Sequence, residues 1–175
     1  MIELQIEGLD RVRAEIKRIG KEAEQGVANA VKATALEVIS DVKKRIQRGP
    51  KSGTTYWRVP GEDGLMRVYA GSPYAGVTKL VAVFKADGKQ NLSLTHKSSA
   101  AGEAPATDTG ALASSVYFTQ SSKLSATIGS RLAYSAYLEF GTAKIKPRPS
   151  WTPAVEAAAP KLQKRIETAI RKAAK

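Results

Sequence analysis

The chain has 175 residues, 42% of them hydrophobic and 25% charged, which suits one globular domain with a real core, or one domain with an extension. It contains no cysteine, which excludes structural disulfides, Cys-based zinc sites and cysteine nucleophiles and suits a reducing cytoplasm. Its 28 Lys and Arg against 16 Asp and Glu give a formal charge of +12, which fits either a nucleic-acid partner, through counterion release, or a merely solvated basic surface.

Ile2, Leu4 and Ile6 alternate with Glu3, Gln5 and Glu7, the pattern of a short half-buried strand that Gly8 ends. The same opening carries no apolar run and is not a signal peptide. No later stretch approaches the roughly twenty apolar residues of a membrane helix, so a soluble protein without membrane contact is expected. Asp10 is placed to cap a helix, with Leu9 as a staple residue. Val12, Ile16, Ile19, Ala23, Val27, Ala30, Val31, Thr34, Ala35, Val38, Ile39, Val42 and Ile46 follow at spacings of three and four. They predict one long amphipathic helix over 11–48, kinked near Gly20 or Gly26. Gly49-Pro50 stops it.

Residues 54–59 and 65–69 predict two strands around the turn Pro60-Gly61-Glu62-Asp63-Gly64. Residues 76–84 form another strand or a short helix, 86–91 a turn, and 91–96 a further strand. The run SSAAGEAPA over 98–106 is small, polar and Pro-bearing, cannot form a packed element by itself and reads as an ordered or semi-ordered loop. Asp108 or Thr109 then caps a short helix through Val116. Val116 and Phe118, then Leu124, Ala126 and Ile128, predict two antiparallel strands, and 132–140 is a third apolar segment. Pro147-Arg148-Pro149 is a rigid linker. Ser150 or Thr152 caps a last helix with Pro153 in its first turn and a stripe of Val155, Ala158, Leu162, Ile166, Ala169 and Ile170. The whole is an α+β chain: a long N-terminal helix and a C-terminal helix packed on a mainly antiparallel sheet.

Candidate chemistry is sparse. The lone histidine, His96, has neither a second ligand nor a nucleophile near it in sequence and reads as a structural or surface residue. Glu139, in Tyr137-Leu138-Glu139-Phe140, is an acid amid apolar neighbours. Read as general acid or base it would need a raised pKa. Read as a strand residue it faces away from Leu138 and Phe140 and pairs with a Lys or Arg of a neighbouring strand or subunit. Gly49-Pro50-Lys51-Ser52-Gly53-Thr54 lacks P-loop spacing. Tyr56-Trp57-Arg58 and Arg67-Val68-Tyr69 interleave aromatic and basic residues, as base-stacking surfaces and ordinary strands both do. No metal, cofactor or turnover is expected.

Three segments in order carry a resemblance. THKSSAAGEAPATDTGALASSV over 95–116 resembles the Gly-Glu-x-Pro-Ala and Thr-Gly-x-Leu-x-x-Ser hallmark of the neck and minor tail component family of long-tailed bacteriophages. The segment 133–142, AYSAYLEFGT, is similar to that family's Tyr-Ala-x-Tyr-x-Glu-Phe-Gly-Thr stretch, and 148–154, RPSWTPA, to its Arg-Pro-x-x-x-Pro-Ala linker. Ala101 and Ser135 depart mildly, where Pro and Ala are commoner. Residues 57–94 look like an insertion, a β-rich arm on which the resemblance is silent.

The resemblance implies a structural virion protein of the head–tail junction, a neck or tail-completion subunit and not an enzyme. It implies self-association into a closed, hexameric ring around the DNA channel, with capsid-connector and tail proteins as neighbours and no sequence reading of the DNA. Localisation would be the virion, and the host cytoplasm during assembly. The implied interface residues are Gly102, Glu103, Pro105, Thr109, Gly110 and Leu112, then Tyr134, Tyr137, Glu139, Phe140, Gly141 and Thr142, and finally Arg148, Pro149 and Pro153. Competing classes are a basic nucleic-acid-binding module and a hydrolase built on Glu139 or Asp108.

Overall fold

The computed structural model describes residues 2–5, 20–71, 79–85 and 95–174. In chain order these form β1 (Ile2–Gln5), α1 (Lys21–Arg48), β2 (Thr55–Pro60), β3 (Leu65–Ala70), β4 (Lys79–Lys85) and β5 (Thr95–Lys97). After them come α2 (Ala111–Ser115), β6 (Val116–Ser122), β7 (Ser125–Ser130), α3 (Tyr134–Phe140) and α4 (Thr152–Ala173). The fold is α+β, as the sequence pattern predicts. The expected cap at Asp10, the helical stretch 11–19 and the turn 86–91 lie outside the described residues.

The helix α1 begins later than the periodicity suggests. Gly20 has φ 97 and ψ −176, so no single helix runs from 11 to 48. Only glycine adopts that backbone readily, and it makes Gly20 a break rather than a kink. Gly26 lies within unbroken helix. Its missing side chain serves packing instead, because a Cβ there would stand 2.9 Å from the Cβ of Ala169 on α4. Along α1 the residues Ala23, Val27, Ala30, Val31, Thr34, Ala35, Val38, Val42 and Ile46 are all buried, the stripe the spacing predicts. Glu22 and Glu24 sit in its first turn and Arg45 and Arg48 in its last, each sign where the helix dipole favours it.

Two antiparallel sheets have different relations to this core. The first has the order β1-β7-β6, with Leu4 opposite Ile128 and Phe118 opposite Ile128 on the other side. Val116, Leu124, Ala126 and Ile128 are buried in one cluster with the α1 stripe and with Trp151, Ala154 and Ala158 of the α4 region. The second sheet has the order β4-β3-β2-β5 and contributes no residue to that cluster. It is built from the 57–94 arm and its flanks. Leu80, Val81 and Val83 on its edge strand β4 are close to half exposed. The sheet therefore holds together by strand pairing, and it stands off the core.

The 132–140 segment, expected to be extended, is the helix α3. Its apolar residues recur at 134, 137, 138 and 140, a helical spacing that a short window does not separate from alternation. Across the core, α1 and α4 are also joined at the surface. Glu37 accepts from Lys161 Nζ at 2.5 Å and from Arg165 Nη2 at 2.8 Å, and Arg165 Nη1 donates to Thr34 Oγ1 at 2.8 Å. Hydrogen bonds from Lys161 and then Arg165 hold the Glu37 carboxyl below its usual range.

The close approach of α1 to α4 makes a direct prediction. Gly26→Leu should destabilise the fold by about 1–2 kcal/mol in urea unfolding, because overpacking outweighs the gain in helix propensity. Unchanged or greater stability would show that the helices can separate there freely.

Candidate functional site

The loop after β5 is pinned along its length by hydrogen bonds within the chain. Gly53 N–H donates to Ser98 O and Ser98 N–H to Thr54 O, both at 2.9 Å, and Gly102 N–H reaches Pro147 O at 2.9 Å. Glu103 accepts from Ser52 Oγ at 2.5 Å, Ser52 N–H at 3.1 Å and Ala100 N–H at 2.8 Å. The Ser52 hydroxyl, followed by the Ala100 and Ser52 amides, keeps its carboxyl below the ordinary range. Ser99 is fully buried and Ala104 nearly so. Small residues can thus be ordered without a large apolar face, because their backbone groups are satisfied inside the chain.

Beyond the loop, Asp108 does not cap α2. That helix follows Gly110, whose φ is 80, and Thr109 Oγ1 accepts from Ala111 N–H at 3.3 Å. Asp108 is turned toward the arm, where one oxygen receives Arg58 Nη2 and the other lies 3.7 Å from His96 Nδ1. Arg58 is 9% exposed. Burial lowers the His96 pKa, the Asp108 charge partly opposes this, and Arg58 and Lys51 add to it. Arg58 was readable from sequence only as a strand residue. Its period-two neighbour Tyr56, which pairs with His96 across the sheet, marks the face it shares.

Glu139 is the centre of the second half of the site. It is 4% exposed and pairs with no Lys or Arg among the described residues. Its Oε2 accepts from Ser150 N–H at 2.7 Å and Trp151 N–H at 3.0 Å, and its Oε1 from Thr152 N–H at 2.7 Å. These are first amides of α4, which no side chain of its own caps. The expected caps Ser150 and Thr152 are therefore donors, and the cap arrives from α3. A carboxylate at a helix N-terminus satisfies orphan N–H groups and meets the positive end of the dipole. Pro153 follows in the first turn, as expected.

With Glu139 pointing inward, the opposite side of α3 is bare. Tyr134, Tyr137 and Phe140 are 42%, 57% and 70% exposed. Gly141 ends the helix with φ 77, and its N–H reaches Tyr137 O at 3.0 Å. A Cβ at Gly141 would stand 2.7 Å from Ile145 O and 2.9 Å from Pro147 Cδ. Thr142 Oγ1 accepts from the amides of Lys144 and Ile145, folding the chain back so that Arg148 N–H meets Leu138 O at 2.7 Å.

No family model, no curated protein and no solved structure matches the chain.

The two halves meet at a cleft of about 150 Å³ into which Pro105, Thr109, Gly110, Leu112, Tyr134 and Arg148 all converge, together with His96 and Asp108. So three separate stretches of the expected site lie together. Gly102 and Glu103 brace the loop behind them, whereas Glu139 and Pro153 belong to the α4 terminus, and Gly141 and Thr142 to the turn. Pro149 lies in the segment between α3 and α4, next to Arg148. Among the described residues, no three of His, Asp and Glu gather as a metal-ligand set.

Two substitutions test this architecture. Glu139→Ala should cost about 3 kcal/mol or more, since it strands buried amides at roughly 1–3 kcal/mol each. That is a fall in Tm on the order of 10 °C for a chain of this size, and a loss under about 1 kcal/mol would mean water replaces the carboxylate. Gly141→Val should cost at least about 1 kcal/mol from the left-handed backbone alone, with the contact at Ile145 O adding to it. A Tm equal to wild type would show that the turn rearranges without strain.

Proposed function

We propose that the chain is a structural subunit of the head–tail junction of a long-tailed bacteriophage. Copies join in a ring around the DNA channel, between the capsid connector and the tail. The observation that carries this reading is the aromatic ridge of α3. Tyr134, Tyr137 and Phe140 are held out to solvent by a helix whose other side is locked to the core through Glu139. Large aromatics on a rigid support are the residues that dominate protein interfaces. The ridge falls within the 133–142 segment that resembles the phage family. Glu139 and Asp108, the acids a hydrolase reading would use, are each engaged in bonds that hold the fold.

A second reading, a basic nucleic-acid-binding module, is favoured by one observation. The groove between α1 and α4, about 860 Å³, is lined by Lys161, Lys164, Arg165 and Lys172. Two of these cations, Lys161 and Arg165, are already paired with Glu37. Lys164 and Lys172 are exposed and available to phosphates.

Light scattering on the full chain separates the two. The assembly reading expects a concentration-dependent oligomer without nucleic acid, and a Tyr137→Ser/Phe140→Ser variant that assembles at least about tenfold less readily while its Tm holds. A wild-type chain that stays monomeric and binds DNA with a steep salt slope, lost on Lys164→Gln/Lys172→Gln, would replace it with the second reading.

A further inference from the structure

The cleft contains an unanswered charge. Arg148 lines it, and its guanidinium has no acceptor among the described residues, with Nε fully buried. Thr107 Oγ1, also buried and also lining the cleft, has no partner either. Buried donors without acceptors are rare in native chains and call for a missing partner group. The surrounding charges say what kind. Asp108 is already occupied by Arg58, with His96 beside it. The lining thus holds an Arg148 guanidinium that no carboxylate pairs with among the described residues, and a guanidinium binds a carboxylate through parallel N–H bonds better than it binds a neutral acceptor. On one side the cleft is rimmed by Tyr134, which continues into the exposed ridge of α3.

The same chain carries a carboxylate suited to the cleft. Glu62 lies at the tip of the β2–β3 hairpin, exposed and without an ion pair or hydrogen bond among the described residues. Its tip is stiff. Gly61 N–H donates to Leu65 O at 2.8 Å and Gly64 N–H to Gly61 O at 3.1 Å. The adjacent Asp63 is taken up by Arg67 and by Leu65 N–H, so Glu62 alone is presented. The hairpin belongs to the sheet that lends nothing to the core.

We propose that this cleft receives the Glu62 carboxylate of a neighbouring copy, which docks the hairpin of each subunit against Arg148 and the aromatic side of α3 in the next. The inference rests on the reading of the chain as a self-assembling subunit, and names its contact. Tip and cleft are different patches of one chain, so the contact is head-to-tail, the kind that rotational symmetry closes into a ring.

Charge reversal tests it. Glu62→Arg and Arg148→Glu should each raise the concentration needed for assembly at least about tenfold, as loss of one member of a buried charge pair does. Mixing the two single variants should restore assembly toward wild type, because each reversed group then meets the other and each native group keeps a native partner. The double variant should assemble as well. Glu62 is exposed and without a partner among the described residues, so Glu62→Arg keeps the fold and carries the test by itself should Arg148→Glu not fold, with circular dichroism and Tm as controls. A wild-type chain that never assembles overturns the assembly reading and this inference with it. A wild-type chain that assembles while Glu62→Arg assembles equally well overturns this inference alone. Loss of assembly in both single variants without recovery on mixing also overturns the pairing.

Discussion

The carboxylate of Glu139 is the constraint on which the second half of the molecule depends. A glutamate buried to 4% exposure would be a large cost if it were left unpaired. Here the first amides of α4 hold it, and those amides would otherwise be orphaned. Each side of the contact removes the other's penalty. The result is that α3, a helix of seven residues, is fixed in place by the terminus of a helix that starts thirteen residues after Glu139. Trp151, also buried, closes the apolar side of the junction.

Rigidity then propagates outward. With α3 fixed, its aromatic side chains face solvent and the segment after Gly141 must fold back over Leu138, which carries Arg148 to the cleft. The loop on the other wall is rigid for a different reason. It buries little apolar surface, and its order comes from hydrogen bonds to Glu103, Ser99 and the backbone of the 52–54 strand entrance. A surface made of two stiff walls costs little conformational entropy to dock.

The core that supports these walls is unusual in its small side chains. Ala23, Ala28, Ala30, Ala35, Ala154 and Ala158 are buried together with only one Trp. Small residues let α1 and α4 approach closely, as the Gly26–Ala169 contact shows, and dispersion then substitutes for bulk. The arm sheet obeys another rule. It is held by backbone pairing, with Arg58 and His96 tied to Asp108 as its visible anchor to the loop. Such an element can present Glu62 and the β4 edge away from the core.

Local pattern determined much of this. The α1 stripe, the β6–β7 pair, the hairpin around 60–64, Pro153 in the first turn of α4 and the need for glycine at 141 all follow from spacing and backbone chemistry within a few residues. The tertiary structure decided what short windows cannot contain. Alternation and helical spacing coincide over 132–140, so α3 was not separable from a strand until its ends were fixed. Local capping chemistry points to Ser150 or Thr152 as the cap of α4, whereas the acceptor sits on another helix. The break at Gly20 was hidden because apolar periodicity runs through it, and periodicity reports faces, not φ. Arg58, Asp108 and Arg148 lie 50 and 40 residues apart in succession, and only the folded chain ties Arg58 to Asp108 and sets Asp108 and Arg148 in the lining of one cleft, because charge has no sequence period.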